Sequence, residues 1–472
     1  MTQVTSPTAN SAQTPAGLAR HLWPSNSALA ATGSATAGGW AASGELTLAG
    51  MTAGQLVATQ GSPLYAVDEA DLRGRARQVR EVLQQAFASH EVPVEVYYAG
   101  KSFLTVAVAK WISQEGLRLD TCSLGELEVA IRAGIPGEHI GLHGNNKSDA
   151  ELHRALSYGV GRIVIDSPSE VSRVAAIARS LQVQAPVMLR VTTGVHAGGH
   201  EFISTGHEDQ KFGVSLAEDN ALELLCQMVQ EPDLVVVGAH CHIGSQILDA
   251  DAFELTGLKM LQLRAKVADR TGYLLPELDL GGGFGIAYTC QDAVVDLPQL
   301  AGQLAGALVR QAKELGTTLP ALSFEPGRVI SGPATVTLYT VGTVKPVQLD
   351  DGAQRVYVSV DGGMSDNIRP ALYGAKYTAL LANRASQAPL VNCRIVGKHC
   401  ESGDIVVDEV WLPSDVQRGD ILAVPATGAY GWSMSSNYNH IPKPAVVGVL
   451  AGQAKVLVRR QTEQDLLSLD EG

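Results

Sequence analysis

Residues 94–103 read VEVYYAGKSF. The first five are β-branched or aromatic apart from Glu95 and suit a strand. The run then breaks at Gly-Lys-Ser. A lysine where a buried strand gives way to a helix has two readings. Lys101 is either a loop lysine that carries its charge into water or a functional amine. A phosphate-cradling Walker loop is excluded, because that motif needs a glycine where Glu95 stands.

The same rhythm repeats downstream. Short apolar runs at 117–121 (LRLDT), 139–143 (HIGLH), 162–166 (RIVID), 187–191 (VMLRV), 234–240 (LVVVGAH), 277–281 (ELDLG) and 321–325 (ALSFE) alternate with helical stretches. With 94–98 they make eight strand units, which predict an α/β fold: a closed (β/α)8 TIM-like barrel over 69–328. An open doubly wound sheet is the alternative. A barrel builds its site at the C-terminal strand ends, where Lys101, Asp120, His143, Asp166, Arg190, His240, His242, Gly281–Gly283 and Glu325 stand.

Beyond residue 330 helical spacing fades. Runs such as VTLYTVGTV and RVYVSVDGG predict a mostly antiparallel β domain over 329–460. GELTLAG (44–50) and SPLYAVD (62–68) are expected to be N-terminal strands, within 46–68, that join it. Residues 1–45, rich in Ala, Ser, Thr and Gly, are expected to be a flexible extension.

The chain has 472 residues, 45% hydrophobic and 18% charged, enough for two or three domains with a large core. A net charge of −13 argues against nucleic acid and anionic membranes as partners. Six cysteines without CxxC spacing suit reduced thiols in a cytoplasm. No secretory signal and no spanning apolar run is expected.

Three constellations carry chemistry. His240-Cys241-His242-Ile243-Gly244-Ser245-Gln246 has a His-x-His spacing, but no neighbouring carboxylate cluster, so no metal is expected. A flat imidazole there can stack on an aromatic ligand, with Gly-Ser offering donors to an anion. Asp279-Leu280-Gly281-Gly282-Gly283-Phe284-Gly285 is either a tight turn or a backbone nest for one phosphate. Glu325-Pro326-Gly327-Arg328 is either a surface ion pair or a carboxylate that fixes a protonated ring nitrogen, as pyridoxal chemistry requires.

VYYAGKSF, HCHIGSQ, DLGGGFGI, EPGR, CESGD (400–404) and GAYGWSMSSNYN (428–439) occur in this order. Together the six motifs resemble the fold-type III pyridoxal-phosphate decarboxylases over about residues 62–450. The resemblance implies pyridoxal 5'-phosphate as cofactor, carried by Lys101 in a desolvated pocket. It implies His242 stacked on the ring and Glu325 on the ring nitrogen. Ser245, Gly283, the turn Glu325, Pro326, Gly327 and Arg328, and Tyr430 match phosphate-holding positions. Arg328, Arg369, Tyr373, Glu401 and Tyr430 match substrate-binding positions, with a surface arginine as the alternative for Arg369. Cys400 matches the proton donor, reaching with Glu401 into the second subunit of a homodimer. The expected reaction is decarboxylation of meso-2,6-diaminopimelate to L-lysine and CO2, the last step of lysine biosynthesis. Decarboxylation of ornithine- or arginine-type diamino acids, or a non-catalytic homologue, are the alternatives. Ser102 stands where the family often has alanine.

Overall fold

The computed structural model describes residues 22–25, 44–195 and 211–472. They fall into two units: one of residues 75–285 and 295–329, the other of residues up to 74, 286–294 and 330–472.

The first unit is the barrel. Its strands are β1 (Val94–Ala99), β2 (Arg118–Thr121), β3 (Ile140–Leu142), β4 (Arg162–Ile165), β5 (Ala185–Thr192), β6 (Leu234–Cys241), β7 (Glu277–Asp279) and β8 (Ala321–Phe324). All pair in parallel, β8 pairs with β1, and β5 pairs with β6, so the ring closes. The open sheet is thereby excluded. Helices between strands start where small polar side chains cap their first turn. Ser123 accepts from the Glu126 N–H, and Ser148 forms a reciprocal box with Glu151.

Register brings polar residues to one level. Ala99 pairs with Asp120, Asp120 with Gly141, and Gly141 with Arg162. Gly141 is needed there, since a Cβ would stand 2.4 Å from Asp120 Oδ1. The missing side chain leaves room for the buried Asp120 and Arg162.

The second unit is a mostly antiparallel sheet. Leu64–Asp68 lies in its middle, antiparallel to Thr335–Gln348 and parallel to Ala445–Leu450. SPLYAVD therefore joins the β domain as expected. GELTLAG joins the same unit but not its large sheet: among the described residues Thr47–Leu48 pairs with Met51–Thr52, because the chain turns back at Ala49 and Gly50, both at positive φ. Its Leu46 and Leu48 still enter the core of this unit.

Most of the expected flexible extension lies outside the described residues. Leu22 and Trp23 do not fit that expectation. They are fully buried in the same core, because two large apolar side chains gain more from burial than they lose in freedom. Residues 286–294, read as barrel, group with the β unit, where Ala287 packs into its core. No helix among the described residues is long and apolar enough to cross a membrane.

Candidate active site

At the end of β1 the chain enters a single 3-10 turn, Gly100–Ser102, that carries Lys101. The end of β8 is clamped against it. Ala99 N–H donates to the Pro326 carbonyl at 3.1 Å, and a Cβ on Gly327 would stand 2.9 Å from Ser102 Oγ. Ser102 itself is buried, and its hydroxyl donates to the Ala99 carbonyl at 2.9 Å and the Tyr98 hydroxyl at 3.1 Å. That satisfied pair explains how serine replaces an alanine here. Lys101 is exposed, so the desolvation expected around it does not come from the barrel's own side chains.

His242 lies beyond the end of β6. The Gly282 N–H points at its Nδ1 at 3.3 Å, which makes Nδ1 an acceptor and puts the ring proton on Nε2. Burial, helped by the Lys101 and Arg190 cations, holds its pKa well below the usual imidazole range. His242 is thus a flat, neutral ring. The three glycines are close-approach residues. Cβ atoms on Gly281, Gly282 and Gly283 would stand 2.5, 2.0 and 2.4 Å from the carbonyl oxygens of Cys241, Glu325 and Gly244. The run is a tight turn that packs the β6, β7 and β8 ends together. Beside it the Arg328 guanidinium donates to Ser245 Oγ at 2.9 and 3.3 Å, gathering a cation and a hydroxyl into one anion-seeking corner.

Glu325 is buried. Its Oε1 lies 3.1 Å from His143 Nε2, 3.2 Å from His240 Nε2 and 3.9 Å from Arg162 Nη2. Asp120 Oδ1 lies 3.3 Å from the same His143 Nε2. These are ion-pair distances without the alignment of full hydrogen bonds. Burial would raise the Glu325 pKa, but the charge on His143, seconded by the His240 N–H, outweighs it and holds it well below the carboxylate range. His240 therefore serves Glu325 from inside the barrel and does not form a site with His242.

Lys101, His242, Ser245, Gly283, Glu325, Pro326, Gly327 and Arg328 all belong to the turns at the C-terminal strand ends of one barrel. An amine, a flat neutral ring, a buried carboxylate and a Ser–Arg corner suit a planar ring with a basic nitrogen and a phosphate. The residues present fit pyridoxal phosphate.

Residues 71–332 match the model of the pyridoxal-dependent decarboxylase family, pyridoxal binding domain. The diaminopimelate decarboxylase of Mycobacterium tuberculosis is 47% identical over 457 residues, covering 96% of this chain and 98% of that protein. That of Corynebacterium efficiens is 45% identical over 453 residues, covering 96% and 95%. This chain belongs to the diaminopimelate decarboxylase family. Among solved structures, diaminopimelate decarboxylase from M. jannaschii in co-complex with L-lysine superposes with a TM-score of 0.82 at 28% identity, covering 89% of this chain and 94% of that one.

The remaining expected residues of this diaminopimelate decarboxylase family member lie in the β unit. Arg369 opens the short helix Arg369–Tyr373 and is buried. Its guanidinium lies over the rings of Tyr288 at 4.6 Å and Tyr377 at 5.5 Å and donates to the Tyr377 hydroxyl. The surface-arginine alternative is thereby overturned. Tyr373 ends the same helix, half-buried, and Tyr430 is half-buried with a positive φ. Cys400 and Glu401 are exposed. Their loop is pinned by Asp404, which accepts from the His399 N–H at 2.9 Å, His399 Nδ1 at 2.8 Å and the Met364 N–H at 2.6 Å.

Sequence reading assigned no role to Arg162, and none to Asp120 or His143 beyond their place at strand ends; His240 entered otherwise only through its His-x-His spacing with His242. The available signal was a charged or polar residue inside an otherwise apolar barrel strand.

Proposed function

We propose that this protein decarboxylates meso-2,6-diaminopimelate to L-lysine and CO2 with pyridoxal 5'-phosphate, the closing step of lysine biosynthesis. The observation that carries the reading is the clamp of the Lys101 turn on the Glu325–Arg328 turn, which brings an amine and a buried anion to one barrel mouth. Bound pyridoxal phosphate supplies a ring that takes up the electron pair released when the carbon–carbon bond breaks.

Lys101 would hold the cofactor through its amine. Glu325 would keep the proton on the ring nitrogen. His242 would lie against the ring, where its neutral state avoids a cation beside the protonated nitrogen. Ser245, Arg328, Gly283 and Tyr430 would hold the phosphate. Arg369, Arg328, Tyr373, Tyr430 and Glu401 take the distal carboxylate and ammonium of the substrate. The carboxylate at the D-centre leaves as CO2, and the thiol of Cys400 gives its proton to the carbon left behind.

An exposed cysteine is unusual for a residue type that is mostly buried. We infer that Cys400 and Glu401 serve the neighbouring subunit of a homodimer. Six cysteines with no disulfide among the described residues suit work in the cytoplasm.

Purified protein incubated with pyridoxal phosphate and a panel of diamino acids tests the function. CO2 and L-lysine should form from meso-diaminopimelate. Borohydride reduction followed by peptide mapping should place the pyridoxyl group on Lys101; a tag on another lysine rejects the assignment.

A further inference from the structure

We propose that His143 is a positioning residue for Glu325: a cation shared between two buried carboxylates that keeps Glu325 ionised and aimed at the cofactor's ring nitrogen. The proposal rests on the pyridoxal phosphate reading above.

Asp120 and Glu325 are both buried in the barrel. Two carboxylates held together away from water repel, and one of them takes up a proton unless a cation intervenes. A protonated Glu325 would donate to the ring nitrogen and leave it neutral, the wrong polarity for an electron sink.

Among the described residues, two side chains pair with both carboxylates. Arg162 Nη2 is 3.7 Å from Asp120 and 3.9 Å from Glu325, but its short bonds go elsewhere. It lies 2.6 Å from Asp279 and 2.9 Å from Glu277, with its guanidinium 3.5 Å over the Tyr97 ring. His143 Nε2 is closer to both, at 3.3 and 3.1 Å.

Burial works against charge on His143, yet Glu325 and Asp120 outweigh it and raise the imidazole to about 9. Asp120, pushed up to about 6 by burial and by Glu325, is the weaker acid of the two carboxylates. The other groups facing His143 are His240, edge-on with ring centroids 5.0 Å apart, and Glu126, which feels its charge. Burial holds His240 down, so it contributes a neutral ring. The His143 backbone is tied independently, its N–H donating to the Thr121 carbonyl at 2.8 Å. The side chain is therefore not required to hold the strand end.

The test uses holoenzyme loaded with pyridoxal phosphate labelled with 15N at the ring nitrogen, without substrate. The native enzyme should give the chemical shift of a protonated pyridine. In His143→Asn the signal should move toward the unprotonated value, and the dissociation constant for the cofactor should rise roughly tenfold or more. The double variant His143→Asn/Asp120→Asn removes one positive and one negative charge and should recover the native signal. An unmoved signal in the single variant, or no recovery in the double, overturns the proposal. Should circular dichroism show His143→Asn unfolded, Asp120→Asn alone decides. With the second carboxylate neutral, loss of the His143 proton no longer drives Glu325 to take one up, so the pH at which the ring signal converts should rise, and an unchanged midpoint overturns the proposal. Failure of the native protein to bind the cofactor would instead overturn the reading on which the proposal rests.

Discussion

The Gly282 N–H meets Nδ1 of His242 at 3.3 Å, so a glycine in one turn sets the tautomer of the ring beyond the next strand. That relation ties two sequence motifs, HCHIGSQ and DLGGGFG, into one device. Gly282 has no room for a side chain, since a Cβ would stand 2.0 Å from the backbone oxygen of Glu325. Gly282→Ala should therefore push the two turns apart. The expected cost is about 1–3 kcal/mol of stability, read as a lower melting temperature, together with weaker cofactor binding by fluorescence titration. Native stability with native affinity would show that the turn is not a tight clamp.

Lys101→Ala and Cys400→Ala should each be inactive alone. If Cys400 and Glu401 serve the neighbouring subunit, mixing the two variants restores activity, because each mixed dimer has one site with both groups. The measurement is diaminopimelate turnover after subunit exchange verified by mass labelling. Exchange without recovery would mean that each chain completes its own site.

The β unit carries a pH-sensitive element. Asp366 is fully buried, accepting from the Gly363 N–H at 2.9 Å and from the Tyr339 hydroxyl. Burial pushes its pKa from 3.8 up to about 7. The folded state therefore binds this proton more tightly than the unfolded chain does. Its contribution is fully present below about pH 4 and is lost as pH rises through 7. Asp366→Asn keeps the hydrogen-bonding shape and removes the titration. Denaturant unfolding should show less loss of stability between pH 4 and 7 for the variant than for the native protein. Parallel curves would mean that Asp366 is ionised in the fold throughout.

The barrel was legible because its strands are short, apolar and regularly spaced, and all eight lie where the runs predicted. The motif residues at its mouth were legible because glycines and histidines at strand ends are hard to explain as packing. Arg162 was not legible. It starts a strand, but its long side chain reaches Glu277 and Asp279 on β7 and its side, more than a hundred residues away in sequence. Local patterning holds no record of such a reach. GELTLAG was legible in part: its alternation is a true strand signal and it belongs to the β unit, but two positive-φ residues fold it back on itself and keep it out of the large sheet. Tyr288 and Tyr377, which flank Arg369, lie 81 and 8 residues from it; Tyr377 ends the DNIRPALYGAKY stretch that carries Arg369, but nothing in the pattern singles it out, and Tyr288 belongs to no motif.

Those two tyrosines bear on substrate choice. A guanidinium over two aromatic rings, with one tyrosine hydroxyl as acceptor, is held as a plane. Its pKa is raised: burial opposes the charge, but Tyr377 and Tyr288 more than compensate. Arg369 Nε is buried without a hydrogen-bond partner among the described residues. An oriented cation of this kind suits the distal carboxylate of diaminopimelate, which ornithine and lysine lack. A charge-assisted bond to arginine contributes about 1.5–3 kcal/mol, or roughly tenfold to a hundredfold in affinity. Arg369→Ala should raise the KM for diaminopimelate by that factor while leaving the absorbance spectrum of the bound cofactor unchanged. Arg369→Lys should rescue little, because an ammonium neither lies flat between the two rings nor grips a carboxylate in bidentate fashion. Steady-state kinetics with diaminopimelate and ornithine side by side decide the matter. Equal use of both substrates by the native enzyme, or unchanged kinetics in Arg369→Ala, would remove the distal carboxylate from the argument and favour a diamine-precursor substrate instead.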